Sequence, residues 1–261
     1  MNTTLEFRTS QTRNHAPLLW LLAIFSLSAC GTQQAANPVP ATSVANPPAE
    51  TSQADAEETE AYANALMASA LKTEPDLSPV LMTLAKSAGG EMWGFKYRFK
   101  SKKSLLRKIN KLLLENPGKV VEDIRINDAL RYTILIDDEP RGNYTDTLHR
   151  ALEELEALGH RVEQVKNYWP TGDNYSGVNC VLITPAGLLW ELQFHTRQSK
   201  TTNNENRAMY EELRLVTTPL KRKKVLFRKM TEAWDSVSIP SSVLEDKSLH
   251  EKEAIITRDS P

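Results

Sequence analysis

Two alternating segments separated by a tight turn, between residues 178 and 196, constrain the fold of this chain most strongly. The first, Val178 to Thr184, has the composition of a β-strand, and Pro185-Ala186-Gly187 follows it as a turn. The second alternates polar and apolar side chains: Glu191, Leu192, Gln193, Phe194 and His195. A period of two places the polar set on one face of a strand and the apolar set in a core. The pattern predicts a hairpin with a carboxylate in the middle of its second strand.

The remaining periodicities predict an α/β (α+β) fold, in which a mixed sheet of about five strands is flanked by helices. Further strands are predicted at residues 95–100, 132–136 and 162–168. Helices are predicted at residues 56–72, 76–87, 101–114, 144–158, 206–216 and 221–234. Trp169 and Trp190 are expected to pack in the core or at its rim rather than against a ligand.

A basic segment comes before the hairpin in the chain. Arg98 and Lys100 alternate with aromatic residues, which places both on one face of the predicted strand. Ser104 and Lys108 are four residues apart on the helix predicted to begin near Ser101, so they share a face near its positive N-terminal end. Such a set can hold the phosphates of a nucleotide. The alternative is a solvated helix with ordinary surface lysines.

Two carboxylates lie on what are predicted to be neighbouring strands. Asp128 comes just before the run from Tyr132 to Ile136, and Glu191 lies in the hairpin. A carboxylate in the middle of a strand is costly to desolvate unless a cation meets it. Two such groups can share Mg²⁺ with the phosphates of a substrate. The alternative is that they form simple ion pairs with Arg131 and Arg98.

The segment from about Trp93 to Arg214 resembles the synthetase domain of the RelA/SpoT family, the alarmone synthetases. The resemblance lies in motifs that follow the family's order: the basic set Arg98, Lys100, Ser104 and Lys108, then Asp128, Lys166-Asn167-Tyr168, Tyr175, and Glu191-x-Gln193. It implies the nucleotidyltransferase-like fold of that family. It also implies transfer of pyrophosphate from ATP to the 3′-hydroxyl of a purine nucleotide, as in guanosine tetra- and pentaphosphate synthesis.

The resemblance also implies roles for individual residues. ATP would be bound by Arg98, Lys100, Ser104 and Lys108. The cofactor Mg²⁺ would be held by Asp128 and Glu191, and catalysis would be carried by Glu191, Asp128 and Gln193. The acceptor nucleotide would be bound by Tyr175, through stacking on its base, and by Lys166, Asn179 and His195.

Asn179 stands where the family has a histidine, and His195 stands where it has an arginine. The acceptor is therefore left open between a guanosine and an adenosine nucleotide. Two other functions stay open. One is a catalytically inactive envelope lipoprotein that binds a nucleotide or a partner. The other is a delivered antibacterial toxin that makes adenosine or guanosine 3′-pyrophosphates.

The N-terminus predicts export and lipidation. Arg8 and Arg13 precede an apolar run at residues 17–29, which is too short to span a membrane as a mature helix. The run ends in Leu27-Ser28-Ala29-Cys30, which resembles a bacterial lipobox with Cys30 as the lipidated residue. We therefore expect a lipid-anchored protein of the bacterial cell envelope. Gly31 favours the outer membrane over the inner one if two membranes are present.

Composition completes the predicted domain organisation. A signal peptide at residues 1–29 and a disordered tether at 30–56 precede a helical part at 57–92, the synthetase-like domain at 93–238 and a polar tail at 239–261. The net charge of -1 argues against general nucleic-acid binding. Cys180 is expected to be a buried apolar residue without a disulfide partner, because only one other cysteine, Cys30, exists.

Overall fold

The computed structural model describes residues 53–169 and 175–249. The chain divides into two units, residues 1–56 and 57–261, and the description below concerns the second unit. Its helices are α1 (Gln53–Ser87, which begins in the first unit), α2 (Lys102–Glu115), α3 (Asn143–Ala157), α4 (Arg197–Leu213), α5 (Leu220–Asp235) and α6 (Ser241–Glu245). Its strands are β1 (Glu91–Met92), β2 (Arg131–Leu135), β3 (Arg161–Asn167), β4 (Val178–Ile183) and β5 (Leu189–His195).

The strands form one mixed sheet, as the sequence predicts. The order of the five strands is β1-β2-β5-β4-β3. Strands β4 and β5 form the predicted antiparallel hairpin, in which Asn179 lies opposite Gln193. Strand β2 runs parallel to β5 and places Arg131 beside Glu191. The prediction of an α/β fold with a mixed sheet flanked by helices is confirmed.

The core lies between this sheet and the helices, and Trp169, Trp190 and Cys180 are buried in it as predicted. A second buried cluster joins α1 and α2 to the segment before β2: Ala63, Leu105, Ile109, Val121, Ile124, Ile126 and Ala129. This cluster fixes α2 against the backbone that carries Asp128. Packing of α2 therefore sets the distance between its lysines and that carboxylate.

The predicted strand at residues 95–100 is wrong. Residues Phe95–Tyr97 form a turn of 3-10 helix that follows Gly94, whose φ of 60° is left-handed. The amides of Tyr97 and Arg98 donate to carbonyls three residues earlier. These two amides are therefore not available for hydrogen bonds to a neighbouring strand. Only a single bridge between Phe99 and Leu130 remains, and the fifth strand of the sheet is β1 instead.

Three other predicted elements differ from the structure. The predicted helices at 56–72 and 76–87 form one helix, α1, that continues through Pro75 and Pro79. A proline removes one backbone donor, and burial of leucines on the second half of α1, such as Leu81 and Leu84, offsets that loss. Helix α4 begins at Arg197 rather than near Asn206, because the Thr196 side chain caps it by accepting from the Ser199 amide.

Residues 241–249 do not belong to a polar tail. They form α6 and a 3-10 turn, with Val243 and Leu249 buried in the core. Asp138 binds the start of α6, because its carboxylate accepts from the Ser241 and Ser242 hydroxyls and from the Ser242 amide. The other predicted domain limits stay predictions. Within the described residues, no helix is long and apolar enough to cross a membrane.

Candidate active site

A carboxylate between two lysines forms one half of the site. Lys100 Nζ donates to Asp128 Oδ2 at 2.7 Å, and Lys108 Nζ donates to Asp128 Oδ1 at 2.8 Å. Lys108 also donates to Asn127 Oδ1 at 3.1 Å. The side chains are only partly exposed, at 14% for Asp128, 20% for Lys100 and 30% for Lys108, so water screens the pairs incompletely. Burial alone would raise the pKa of Asp128, but the two lysines outweigh it and lower that pKa.

The N-terminal turn of α2 presents polar groups next to this cluster. Ser101 caps the helix by accepting from the Ser104 amide, and its hydroxyl donates to Ser104 Oγ at 3.0 Å. Lys108 lies one turn further along the same helix. The free amides and positive end of a helix N-terminus favour phosphate oxygens. Ser104, Lys108 and Lys100 can therefore bind one polyphosphate together.

Arg98 is held apart from Asp128. Its Nε donates to Glu74 Oε1 of α1 at 2.9 Å, and its guanidinium lies 4.0 Å from the Phe95 ring centroid and 4.7 Å from that of Phe99. The 3-10 turn at residues 95–97 is the reason, because it removes the strand alternation that would place Arg98 and Lys100 side by side. The alternative in which Arg98 forms an ion pair with Asp128 or Glu191 does not hold, because the Arg98 guanidinium is paired with Glu74 instead.

Glu191 forms the other half of the site, at the centre of a hydrogen-bond network. Gln193 Nε2 donates to Glu191 Oε2 at 3.1 Å, and Asn179 Nδ2 donates to Glu191 Oε1 at 3.2 Å. The Thr133 hydroxyl donates to Gln193 Oε1 at 3.1 Å, which fixes the orientation of that amide. Residues on β4 and β5 thus hold the carboxylate directly, and Thr133 on β2 supports it through Gln193. The shared face of Glu191 and Gln193 follows the predicted alternation.

The network continues to the predicted acceptor residues. The Tyr175 hydroxyl donates to Asn179 Oδ1 at 2.8 Å and lies 2.9 Å from His195 Nε2. His195 is fully buried, and its Nδ1 lies 3.0 Å from Ser199 Oγ. Gly177 permits this packing, since a Cβ there would lie 2.8 Å from the His195 ring. Burial lowers the pKa of His195 well below its usual range, so its imidazole is neutral.

Tyr175 is half-buried in the structure. Its ring packs edge-on against Tyr168, His195 and Trp234, with centroids 5.1, 5.2 and 6.4 Å away. The loop approaches this closely because residue 177 is glycine. The role of Tyr175 in stacking on a base stays a prediction. Lys166 lies opposite Asn179 in the β3–β4 ladder, so the two side chains are on the same face of the sheet.

The surroundings of Glu191 make its carboxylate a stronger base than that of an ordinary glutamate. Burial is the largest contribution and raises its pKa, and Asp128 raises it further by repulsion. Arg131 opposes this shift, as do the hydrogen bond from Gln193 and the charge of Lys108. A carboxylate with a raised pKa is a better general base at neutral pH than an ordinary one. A raised carboxyl pKa beside a cluster of cations is typical of a functional site.

The donor set suits magnesium bound together with phosphates. Asp128 and Glu191 are close enough to affect each other's charge, and one or two carboxylates plus substrate oxygens are the usual Mg²⁺ ligands. Among the described residues, no group of three or more histidine, cysteine, aspartate or glutamate side chains is arranged to hold a metal alone. Asp128 could bind the ion once Lys100 and Lys108 bind phosphate oxygens instead of its carboxylate.

The structure brings together Lys100, Lys108 and Asp128 in one cluster and Glu191, Gln193, Asn179, Tyr175 and His195 in another. Sequence reasoning missed Glu74, Thr133 and Lys200. Their contacts depend on how α1, β2 and α4 pack, although the position of Lys200 just after the hairpin was a usable signal. Cys30 and the signal peptide lie outside the described residues.

No protein-family model matches the chain, and no curated protein sequence matches it. Several solved structures do match the chain. A chain in the crystal structure of the complex between the Type VI effector Tas1 and its immunity protein aligns over 66% of this chain and 94% of its own, with 19% identity and a TM-score of 0.44. Small alarmone synthetase 1 from Bacillus subtilis aligns over 68% of this chain and 90% of its own, with 17% identity and a TM-score of 0.43.

Small alarmone synthetase 2 from Bacillus subtilis aligns over 64% of this chain and 89% of its own, with 14% identity and a TM-score of 0.45. The chain is similar to small alarmone synthetases. This is the class of protein that the sequence motifs resemble. Because the identities and TM-scores are low, the function is inferred below from the side chains of the site.

Proposed function

We propose that this protein is an ATP-dependent nucleotide 3′-pyrophosphokinase, whose acceptor is a purine nucleotide. The observation that carries the proposal is the convergence of cations on a carboxylate with a raised pKa. Lys108 and Arg131 both favour the ionised form of Glu191, and Lys100 and Lys108 both donate to Asp128 nearby. Transfer of a charged phosphoryl group needs such cations beside a base.

The reaction follows from these positions. Lys100, Lys108, Ser104 and the N-terminus of α2 bind the ATP phosphates, and Arg98 packs beside the adenine. The acceptor's 3′-oxygen attacks the β-phosphorus and gives its proton to Glu191. The bond between the β-phosphorus and the bridging oxygen to the α-phosphorus breaks, and AMP leaves. The product carries the diphosphate on its 3′-oxygen. Mg²⁺ held by Asp128 and Glu191 would neutralise charge on the transferred group.

Gln193 and Asn179 are positioning residues in this scheme. Both donate to Glu191, so they direct its carboxylate and limit its rotation. Asn179 is in turn fixed by Tyr175, and Tyr175 by His195. A change of position at Tyr175 on binding of the acceptor base would therefore reach the catalytic carboxylate through one intervening side chain. Lys166 and His195 complete the acceptor side, and guanosine and adenosine nucleotides are both candidate acceptors.

The location of the protein in the cell is part of the proposal. The sequence before α1 supports a lipid anchor at Cys30 and a place in the cell envelope, the outer membrane where two are present. An envelope location is poor in ATP. Asn179 and His195, which stand where the family has a histidine and an arginine, favour one alternative, a binding lipoprotein that keeps the fold without turnover.

The test is incubation of the purified protein with Mg²⁺, ATP labelled at the β-phosphate, and each purine nucleotide in turn. The proposal expects AMP and a labelled product that is more highly phosphorylated than the acceptor. Release of the product's label by a 3′-nucleotidase would locate the new group. Binding of ATP without any product for every acceptor would instead support the binding lipoprotein.

A further inference from the structure

Lys200 is a buried cation close to Glu191 that the scheme above does not use. It lies in the first turn of α4, directly after β5, and its side chain is 7% exposed. Its Nζ lies 4.3 Å from the centroid of the Trp93 ring. The aromatic face compensates part of the lost hydration of the ammonium group. An uncompensated charge at this depth is otherwise costly.

The charges around Lys200 do not neutralise it. Arg131 and Arg207 repel its ammonium group, and Glu191 attracts it. Within residues 53–169 and 175–249, no carboxylate lies at ion-pair distance from Lys200 or Arg131, whereas Lys100 and Lys108 are both paired with Asp128. Lys200 and Arg131 therefore lie close to Glu191 without a carboxylate at ion-pair distance among the described residues, although both interact electrostatically with Glu191.

We propose that Lys200 and Arg131 form a second anion subsite that binds a phosphoryl group of a bound nucleotide. The inference rests on the proposed function, because it places that group beside Glu191. A phosphoryl group carries the charge and the several acceptor oxygens that can satisfy an ammonium and a guanidinium at once. The shared chemistry fits either the ATP phosphates or the 5′-phosphates of the acceptor.

The subsite complements the cluster on α2 in geometry. Lys100, just before α2, and Lys108, on α2, both donate to Asp128. Lys200 lies in the first turn of α4, and Arg131 is the first residue of β2, beside Glu191. A bound anion would also relieve the repulsion between Lys200 and Arg131. Desolvation, the largest cause, lowers the pKa of Lys200 to about 8. An adjacent phosphate favours the charged form of that amine.

The experiment measures ligand binding by titration calorimetry, which does not depend on turnover. The full-length protein and its Lys200→Met variant are compared, since methionine keeps the apolar stem against Trp93. The donor arm uses α,β-methylene ATP. The acceptor arm uses guanosine and adenosine beside their 5′-triphosphates. Lys221→Met, at an exposed lysine of α5, is the matched control, and Lys200→Arg restores the charge.

We expect Lys200→Met to weaken one of the two arms by about 10-fold or more, the loss of one charge-assisted phosphate contact. Weaker α,β-methylene ATP assigns the subsite to the donor, and weaker 5′-triphosphates with unchanged nucleosides assign it to the acceptor. Lys200→Arg should retain most of the affinity, and Lys221→Met should match the wild type.

Unchanged affinity for every phosphorylated ligand in a cooperatively folded Lys200→Met variant would overturn the subsite. An equal loss for nucleosides and triphosphates would also overturn it, because that result indicates a purely structural lysine. Failure of the proposed function looks different. The wild type would bind phosphorylated ligands through Lys200 yet form no product in the labelled-ATP assay.

Discussion

In the proposed reaction, Asp128 and the incoming nucleotide compete for the same lysines. Each oxygen of its carboxylate accepts from one lysine, so the phosphates of ATP must replace the carboxylate as partner. The exchange leaves Asp128 free for Mg²⁺ at the time when the phosphates arrive. A preformed pair also keeps both lysines ordered before binding, which lowers the entropic cost of holding the donor.

Lys108→Ala should weaken ATP binding by about 10-fold or more, because one charge-assisted contact contributes about 1.5–3 kcal/mol. Lys111→Ala is the control, since Lys111 is exposed on the same helix and pairs only with Glu115. Titration calorimetry with Mg²⁺ present measures both. Equal ATP affinity in wild type and Lys108→Ala would place the donor site elsewhere.

The Tyr175 ring and its hydroxyl can be tested separately. Stacking on a base contributes about 1–3 kcal/mol, so Tyr175→Ala should raise the acceptor KM by about 5-fold or more and leave ATP affinity unchanged. Tyr175→Phe keeps the ring but loses the bonds to Asn179 and His195. It should keep an acceptor KM close to that of the wild type. A loss in Tyr175→Phe equal to that in Tyr175→Ala would argue against stacking.

At the scale of elements, alternation in sequence is informative where a strand has one polar and one buried face. Strand β5 meets this condition, and both its hairpin and the shared face of Glu191 and Gln193 were predictable. Residues 95–100 alternate equally well, yet local bonds after Gly94 form a 3-10 turn instead. Period alone does not show whether a partner strand is available.

Long-range contacts limit prediction of the site in the same way. Helical spacing predicted that Ser104 and Lys108 share a face of α2, whereas the contact of Lys108 with Asp128 was not predicted. The pairing of Arg98 with Glu74 and the burial of Lys200 required the packing of α1 and α4. The start of α4 was missed because Thr201, Thr202 and Asn203 have low helix propensity.

Asp138 should stabilise α6, since it accepts from Ser241 and Ser242 while also accepting from the amides of Gly142 and Tyr144 at the start of α3. Asp138→Ala should cost about 1–3 kcal/mol and lower the Tm by several degrees. Glu153→Ala, at an exposed position of α3, is the control in the same thermal melts. An unchanged Tm in Asp138→Ala would show that apolar burial alone holds residues 241–249.

The effect of Asp138 should depend on pH. Burial alone would raise its pKa, but the hydrogen bonds from Ser242, Tyr144 and Ser241 lower it below the ordinary value of 3.8. The carboxylate's contribution is therefore present above that ordinary value and is lost as pH falls through the lower folded-state pKa. The Tm difference between wild type and Asp138→Ala should shrink in acid. A constant difference down to strongly acidic pH would contradict this assignment.

At the scale of the whole molecule, the N-terminal sequence and the site point to different compartments. A lipid anchor at Cys30 would fix the protein in the envelope, while the proposed function requires the site to bind ATP. Cys30→Ser should give a precursor that no longer incorporates labelled fatty acid, because the thiol that accepts the lipid is absent. Equal labelling of the variant and the wild type would rule out Cys30 as the site of attachment.

In the proposed reaction the Glu191 carboxylate takes the acceptor's proton, and its ionised form lowers the stability of the fold. Its pKa is raised by burial and by Asp128, so its ionised form destabilises the fold as pH rises from the ordinary glutamate value of 4.5 through the raised one. Glu191→Gln keeps the shape and removes the charge. Its Tm at neutral pH should equal or exceed that of the wild type, and the gain should disappear toward pH 4.5.

The decisive measurement is the labelled-ATP assay of wild type and Glu191→Gln, run beside thermal melts of the same samples. We expect Glu191→Gln to lose at least about 100-fold in rate while its Tm is unchanged or higher. Wild-type activity in Glu191→Gln, or loss of activity that accompanies a lower Tm, would contradict it.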